Sequence, residues 1–202
     1  MNIMTSIQKK VEDYVNQHAS IKDCFKKGVI NYSALSRQII QQLKLKSNTF
    51  DAVLIACRRH ADTLKHTDNE KKIIKLLKKS QLKIQTKVCR FIFPLNTPLP
   101  SQPLQLIQGD KTISVIYAKE DYLKIKNDLE NEIIDEKTDL AELIIISPKD
   151  ADETLGFTSF ISSVLSDAGI NFQTVLGSYV EDVFIIENKD LSKALTILNK
   201  LI

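Results

Sequence analysis

The sequence predicts an α+β protein of two modules: a basic helical module, then an acidic antiparallel sheet with helices on one face. Residues 1–90 carry 19 Lys and Arg against 7 acidic residues, a net of +12, and residues 91–202 carry 9 Lys against 18 acidic residues, a net of −9. Apolar spacing also changes, from helical periodicity to alternating strands and helices. We therefore expect a basic domain over 1–93, a proline-rich linker over 94–103 and an acidic domain over 104–202.

The basic half is expected to be helical. Apolar residues at helical spacing predict helices over residues 3–18, 33–43 and 48–64, and Gly28 marks the end of a short helix between the first two. About four residues separate the helices 33–43 and 48–64, which is the helix-turn-helix pattern. A strand is predicted over residues 83–93, and after three helices it is expected to form the wing of a winged helix.

The last helix of this pair and the segment after it carry candidate contacts to nucleic acid. Arg suits guanine edges and phosphates, and neutralisation of phosphates by Lys and Arg is the main source of nonspecific affinity. The candidate contact residues are Asn48, Thr49, Arg58, Arg59, Lys71, Lys72, Lys75, Lys78 and Lys79. Duplex DNA is the expected partner. RNA stays open, as does an acidic protein surface, including the acidic half of a second copy of the chain.

The last 60 residues have the order strand, helix, strand, strand, helix, a ferredoxin-like unit without its last strand. The strands are predicted over 140–147, 171–179 and 183–187, and the helices over 157–168 and 191–198. An upstream strand, 112–117 or 83–93, is expected to fill the missing edge. Residues 104–202 are too long for one such unit and too short for two, so we expect added strands or a degenerate first copy.

Two short runs resemble a known family. Asp152-Glu153-Thr154-Leu155-Gly156-Phe157, then an amphipathic helix, then Ala168-Gly169-Ile170-Asn171, resembles the signature of the ACT-domain regulatory family. The resemblance covers about residues 140–202, with Leu155 where the family usually has Pro. It implies a module that binds an amino acid and pairs side by side, and therefore a homodimer. An ACT-like fold that only dimerises is the alternative.

A second resemblance lies in the basic half. Ser20-Ile21-Lys22-Asp23-Cys24-Phe25, with Gly28 and Ile30-Asn31-Tyr32-Ser33-Ala34-Leu35, resembles the front of archaeal-type ACT proteins that carry a helix-turn-helix-like segment. It implies that the helical module and the ACT-like module belong together in one protein.

The ACT resemblance implies a ligand site at the helix that begins near Gly156. Free N–H groups and the positive end of the helix dipole favour a carboxylate there. Asp152 or Glu153 would pair with an ammonium group, and the carboxamide of Asn171 would hold either end of an amino acid. The candidate ligand-binding residues are Asp152, Glu153, Thr154, Gly156, Phe157 and Asn171.

Motifs of catalysis and metal binding are absent from the sequence. There is no phosphate loop, GxGxxG, GxSxG or HExxH motif and no CxxC pair, so we expect no enzyme, no metal and no cofactor. Cys24, Cys57 and Cys89 are widely spaced, which favours a reducing cytoplasm. We also expect no signal peptide and no membrane span, because no apolar stretch reaches the required length.

Together these observations predict a cytoplasmic, dimeric transcriptional regulator. Its N-terminal module would bind DNA, and its ACT-like module would sense an amino acid or related metabolite. The main alternative is an ACT-type dimerisation or small-molecule-binding module that acts through protein partners without DNA. A third class is an enzyme that uses the carboxylates of the loop before Gly156.

Overall fold

The computed structural model of the protein describes residues 3–64 and 69–202, with side chains from Ile7 onward. The chain divides into two compact units, Met1–Asp68 and Asn69–Ile202. None of the helices in the described ranges is both long and apolar enough to cross a membrane.

The described part of the first unit is helical. Its α-helices are α1 (Ile3–Gln17), α2 (Ala19–Lys27), α3 (Tyr32–Gln42) and α4 (Phe50–Thr63). Their apolar stripes share one core that includes Val11, Phe25, Ile39 and Val53. The helices predicted over 3–18, 33–43 and 48–64 are therefore confirmed, to within two residues at each end.

The connections between these helices differ in length. Residues 28–31 join α2 to α3, and Gly28 makes this short turn possible because its φ is 67°, a left-handed conformation that favours glycine. The Asn31 side chain then caps α3 by accepting a hydrogen bond from the Ala34 N–H at 3.0 Å. The α3–α4 connection is longer, covering residues 43–49 with a 3₁₀ turn at Ser47–Thr49.

The second unit is built on one antiparallel sheet of six strands in the order β2-β3-β1-β4-β6-β5. The strands are β1 (Gln81–Pro94), β2 (Gln105–Gln108), β3 (Thr112–Ala118), β4 (Asp135–Ile146), β5 (Phe172–Ser178) and β6 (Glu181–Glu187). The helices are α5 (Asn69–Leu77), α6 (Tyr122–Leu129), α7 (Phe157–Asp167) and α8 (Leu191–Leu198). This is an α+β unit with a ferredoxin-like sheet.

The long strands β1 and β4 are each shared by two halves of this sheet. Residues 88–94 of β1 lie between β3 and the start of β4, which gives a first half with the order β2-β3-β1-β4. Residues 81–85 of β1 pair with the end of β4, which also pairs with β6, giving a second half with the order β1-β4-β6-β5. The expected upstream strand is therefore present, and it is β1.

The position of β1 corrects the predicted wing. Residues 83–93 lie within the six-stranded sheet, where residues 88–92 pair with β3 on one edge and β4 on the other, and residues 83–85 pair with β4. Residues 95–104 stand where a ferredoxin-like unit has its first helix, so the first half is a degenerate copy. The structural boundary accordingly falls between Asp68 and Asn69, whereas the sequence placed it in the proline-rich segment.

Helix α5 belongs with the sheet as well. Its residues Ile73, Leu76 and Leu77 are buried in the same apolar cluster as Phe157 and Phe184. Counted by structural unit, residues 1–68 hold 11 Lys and Arg against 6 acidic residues, a net of +5, and residues 69–202 hold 17 against 19, a net of −2. The strong charge split of the sequence thus does not coincide with the division of the fold.

Two bulges mark the junction of the halves. The pair Val88–Leu140 lies between register shifts, and the nearby Lys87 and Asp139 take φ values of 57° and 56°. The sheet is also strongly curled on the face away from the helices. The side chain of Gln105 on β2 reaches Glu142 on β4 at 3.0 Å, although β3 and β1 separate these strands.

Candidate ligand-binding site

A surface cleft of about 510 Å³ lies between the start of α7 and the turn that joins β5 to β6. The loop 151–156 and the first residues of α7 form one wall, and residues 177–182 form the other. Ser147, directly after β4, contributes to the lining. Both walls belong to the second half of the sheet.

The start of α7 presents donors to this cleft. Gly156, with φ 86°, brings the chain into the helix in a left-handed conformation. The Phe157 N–H donates to the Thr154 carbonyl and the Phe160 N–H donates to the Gly156 carbonyl. Between them, the N–H groups of Thr158 and Ser159 have no acceptor among the described residues. Such N–H groups at the positive end of a helix bind a carboxylate.

The opposite wall holds a buried carboxyl group. Asp182 on β6 is only 7% exposed, and its Oδ1 accepts a hydrogen bond of 2.6 Å from the Thr158 hydroxyl. Burial raises the pKa of Asp182, the bond from Thr158 opposes that rise, and the negative charge of Asp152 adds to it. The bond fixes the first turn of α7 against the sheet.

Further carboxyl groups surround the cleft. Asp152 and Glu153 are exposed on the loop before α7, and Glu181 lies beside Asp182 on the opposite wall. The cleft therefore combines a donor-rich helix start with four acidic side chains. This combination suits a molecule that carries both a carboxylate and an ammonium group.

The residues predicted for this site have different placements. Asp152, Glu153 and Gly156 line the cleft, the first two with carboxylate side chains and Gly156 with its backbone. Thr154 and Phe157 also line it, but the Thr154 hydroxyl donates to the Asp150 carbonyl at 2.6 Å and the Phe157 side chain is buried in the core. Both therefore shape the loop rather than offer a free polar group.

Asn171 lies elsewhere. It is exposed between the end of α7 and the start of β5, and it does not line the cleft. Because β5 runs back along the sheet, its far end, Gly177 and Ser178, reaches the cleft instead. The sequence reasoning missed Thr158, Ser159 and Asp182, since a carboxyl group at a strand start gives no pattern until the fold brings it to α7.

The apolar residues Leu155 and Tyr179 flank the mouth of the cleft. Their side chains are 79% and 60% exposed, which is unusual for residues of this size. Leu155 stands where the sequence departs from the family pattern, and Asn69 supports it by donating from its Nδ2 to the Leu155 carbonyl at 3.2 Å.

The candidate nucleic-acid contacts fall on both units. Asn48 and Thr49 lie in the 3₁₀ turn before α4, and Arg58 and Arg59 are exposed on α4. The lysines lie on or directly after α5, in the second unit: Lys71, Lys72, Lys75, Lys78 and Lys79. The structure therefore divides these residues between the two units.

Two of the three cysteines are buried. Burial raises the pKa of the Cys57 and Cys89 thiols to about 11, so both stay protonated near neutral pH. Within residues 3–64 and 69–202, no group of three or more His, Cys, Asp or Glu is placed to hold a metal ion.

Comparison with known proteins concerns the family and the fold of the second unit. The ACT-domain family model matches residues 136–200. The regulatory subunit of aspartate kinase from Thermus flavus is similar in structure, with a TM-score of 0.51, 15% identity, and coverage of 59% of this chain and 95% of that one. Aspartate kinase from Clostridium acetobutylicum gives a TM-score of 0.50 and 14% identity over 60% of this chain.

The match to the Clostridium acetobutylicum enzyme spans only 34% of that enzyme's length. At these identities the likeness concerns the fold alone. No curated protein sequence matches this chain. Residues 136–200 therefore form an ACT domain, and β1 supplies its edge strand from outside the matched segment.

Proposed function

We propose that this protein is a regulator whose ACT domain binds an amino acid or a closely related metabolite. The observation that carries the proposal is the two-sided cleft at α7. Thr158 and Ser159 offer unpaired N–H groups on one wall, and Asp182 offers a carboxyl group on the other, while Asp152 adds a second carboxylate from the loop before α7. An α-amino acid carries the two complementary charges within a few bonds of each other.

The ligand's carboxylate would sit at the first turn of α7, and its ammonium group would face Asp182. The raised pKa of Asp182 fits this role, because a cation in the cleft would favour the ionised carboxylate and recover part of the desolvation cost. Thr158 links both sides, since its backbone N–H faces the anion while its hydroxyl holds Asp182.

A homodimer is part of the proposal. Leu155 and Tyr179 form an exposed apolar rim beside the cleft, and a second copy of the chain would cover it. The ligand would then favour one arrangement of the dimer over another, which requires a different affinity for it in each. The match of residues 136–200 to the ACT-domain family supports a regulatory role over catalysis.

The output of the regulator would be DNA binding by the first unit, whose net charge is +5. The alternative output is a protein partner with an acidic surface. The exposed lysines of α5 favour that alternative, because they belong to the ACT-containing unit. Retention on duplex DNA at low salt, with affinity falling steeply as salt rises, separates the two outputs.

The sensing proposal is tested by thermal denaturation of the full chain with each of the twenty amino acids. A ligand at about 100 times its Kd should stabilise the protein by about 2.7 kcal/mol. Asp182→Asn should abolish the shift by removing the charge that faces the ammonium group. Gly156→Asp should abolish it by placing a carboxylate at the anion side.

Asp167→Asn is the matched control, since it makes the same change at the far, exposed end of α7. It should respond to ligand like the wild type. Absence of any shift across the panel, or equal shifts in all three variants, would contradict a ligand in this cleft and leave a purely structural ACT domain.

A further inference from the structure

Helix α3 of the first unit carries an exposed polar face that the sequence reasoning did not assign to any role. Its buried side consists of Leu35, Ser36 and Ile39. At about 100° per residue, the opposite sector of about 100° holds five residues. These are Ser33, Ala34, Arg37, Gln41 and, just beyond the helix, Lys44.

This face has the chemistry of a base-reading surface. Arg binds guanine, Gln binds adenine, Ser bonds to either base, and an Ala methyl contacts the thymine methyl. Helix α3 contains no acidic residue, so nothing on it repels phosphates. Gln38 and Gln42 lie beyond one edge of the face, and both are held by the Tyr14 hydroxyl, which accepts from Gln38 at 3.1 Å and donates to Gln42 at 2.8 Å.

Helix α4, which the sequence favoured, is less suited. Its exposed side carries Arg58 and Arg59 but also the carboxylates of Asp51 and Asp62 and the apolar Ile55. By the same helical spacing, all five fall within about 100° of one another. A helix with two acidic groups on its exposed side would be repelled by the phosphates that line a groove.

The connection before α3 also has the required form. A helix-turn-helix joins two helices by three or four residues that often include glycine, and its second helix enters the major groove. Residues 28–31 are such a turn, with Gly28 in the left-handed conformation, whereas residues 43–49 before α4 form a longer connection. Arg58 lines the same surface cleft as residues 28–33, which places a positive charge beside the start of α3.

We infer that residues 19–42 are a helix-turn-helix that reads duplex DNA and that α3 is its recognition helix. The inference rests on the proposed DNA-binding output and names the surface that delivers it. Arg37 and Gln41 contact base edges in the major groove. Arg58 contacts a flanking phosphate from α4, and α4 otherwise supports α3 through the shared core.

The test is a selection from duplexes with a random core of about 20 base pairs, using the full chain. The wild type should enrich a motif. Arg37→Ala and Gln41→Ala should each weaken binding to that motif by roughly 5- to 100-fold and relax the preference at one position. Arg37→Lys should keep the affinity for unrelated duplex but lose the base preference, because the planar fork is gone.

Arg59→Ala tests the rival helix, and Lys9→Ala on α1 is the control for the loss of one exposed positive charge. Both should enrich the wild-type motif. Loss of the motif in Arg59→Ala but not in Arg37→Ala would overturn the inference while keeping DNA as the output. DNA binding that enriches no motif, with equal duplex affinity in Arg37→Ala and Lys9→Ala, would also overturn the inference and keep DNA as the output. Failure of the wild type to retain any duplex at low salt would overturn both.

Discussion

The two halves of the six-stranded sheet share β1 and β4, yet they differ at one point. In the second half, α7 follows β4, and the N-terminus of α7 forms one wall of the cleft. In the first half, residues 95–104 occupy that place and pack Leu95 and Leu99 onto the core without helical structure. The comparison teaches that the shared strands β1 and β4 are common to both halves, while α7, which has no counterpart after β1, forms the wall of the cleft.

The largest expected effect tests whether the halves form one cooperative unit. Phe91 in the first half and Phe184 in the second are both fully buried. Phe91→Ala and Phe184→Ala should each lower the free energy of unfolding by about 3–5 kcal/mol, measured by chemical denaturation. Because both residues stabilise one sheet, either variant should shift a single transition. Separate transitions for the halves would show that they unfold independently.

The next effect concerns the hydrogen bond that joins the halves across the curled face. Gln105→Ala removes the partner of Glu142, a carboxyl group only 1% exposed, and should destabilise the protein by about 1–3 kcal/mol. Gln108→Ala on the same strand is the control, since Gln108 is exposed. Equal effects of the two variants in a denaturation experiment would mean that the bond contributes nothing.

Gly156 leads into α7, the helix that the first half of the sheet lacks. Its φ of 86° disfavours any side chain, although open space surrounds it, so Gly156→Ala should cost about 1–2 kcal/mol from backbone strain alone. Gly156→Asn should cost less, because Asn tolerates the left-handed region better. Thermal denaturation without ligand measures both. If Asn and Ala cost the same, backbone strain is not the cause.

The smallest expected effect is a pH dependence from Asp182. Burial raises the pKa of Asp182 in the folded state above its ordinary value of 3.8, so the folded protein holds this proton to higher pH than the unfolded chain does. The contribution of Asp182 to stability should therefore be greatest below that value and decline as pH rises through the folded pKa.

Asp182→Asn keeps an acceptor for Thr158 and removes the titration. The unfolding free energy of the wild type and of this variant is followed from about pH 3 to about pH 7. The wild type should lose stability relative to the variant as pH rises. A constant difference would contradict a raised pKa.

Sequence reasoning located most elements but not their partners. The helices before residue 64 and the strand order after residue 140 follow from local periodicity. The placement of β1 does not, because the same apolar alternation fits a wing or a central strand. Net charge likewise does not indicate which unit α5 joins. The lysines of α5 are exposed, whereas its apolar residues Ile73 and Leu77 are part of the core of the second unit.

The candidate site was predicted in part for the same reason. Asp152 and Gly156 lie in one continuous motif, and the structure places both at the cleft. Asp182 comes from a distant strand, and only the pairing of β4 with β6 brings it to Thr158. Asn171 fits the family motif, yet the direction of β5 sends it away from the start of α7.

The sharing of β1 also has a consequence for the order in which the chain assembles. The edge strand of the ACT domain of residues 136–200 is formed by residues 81–85. Gln81 can therefore pair with Ile146 only after the whole first half has been synthesised. Such distant pairing slows folding. A fragment limited to 136–200 would leave the N–H and C=O groups along one edge of β4 without partners, beside Leu143 and Ile145, and strand edges of that kind aggregate.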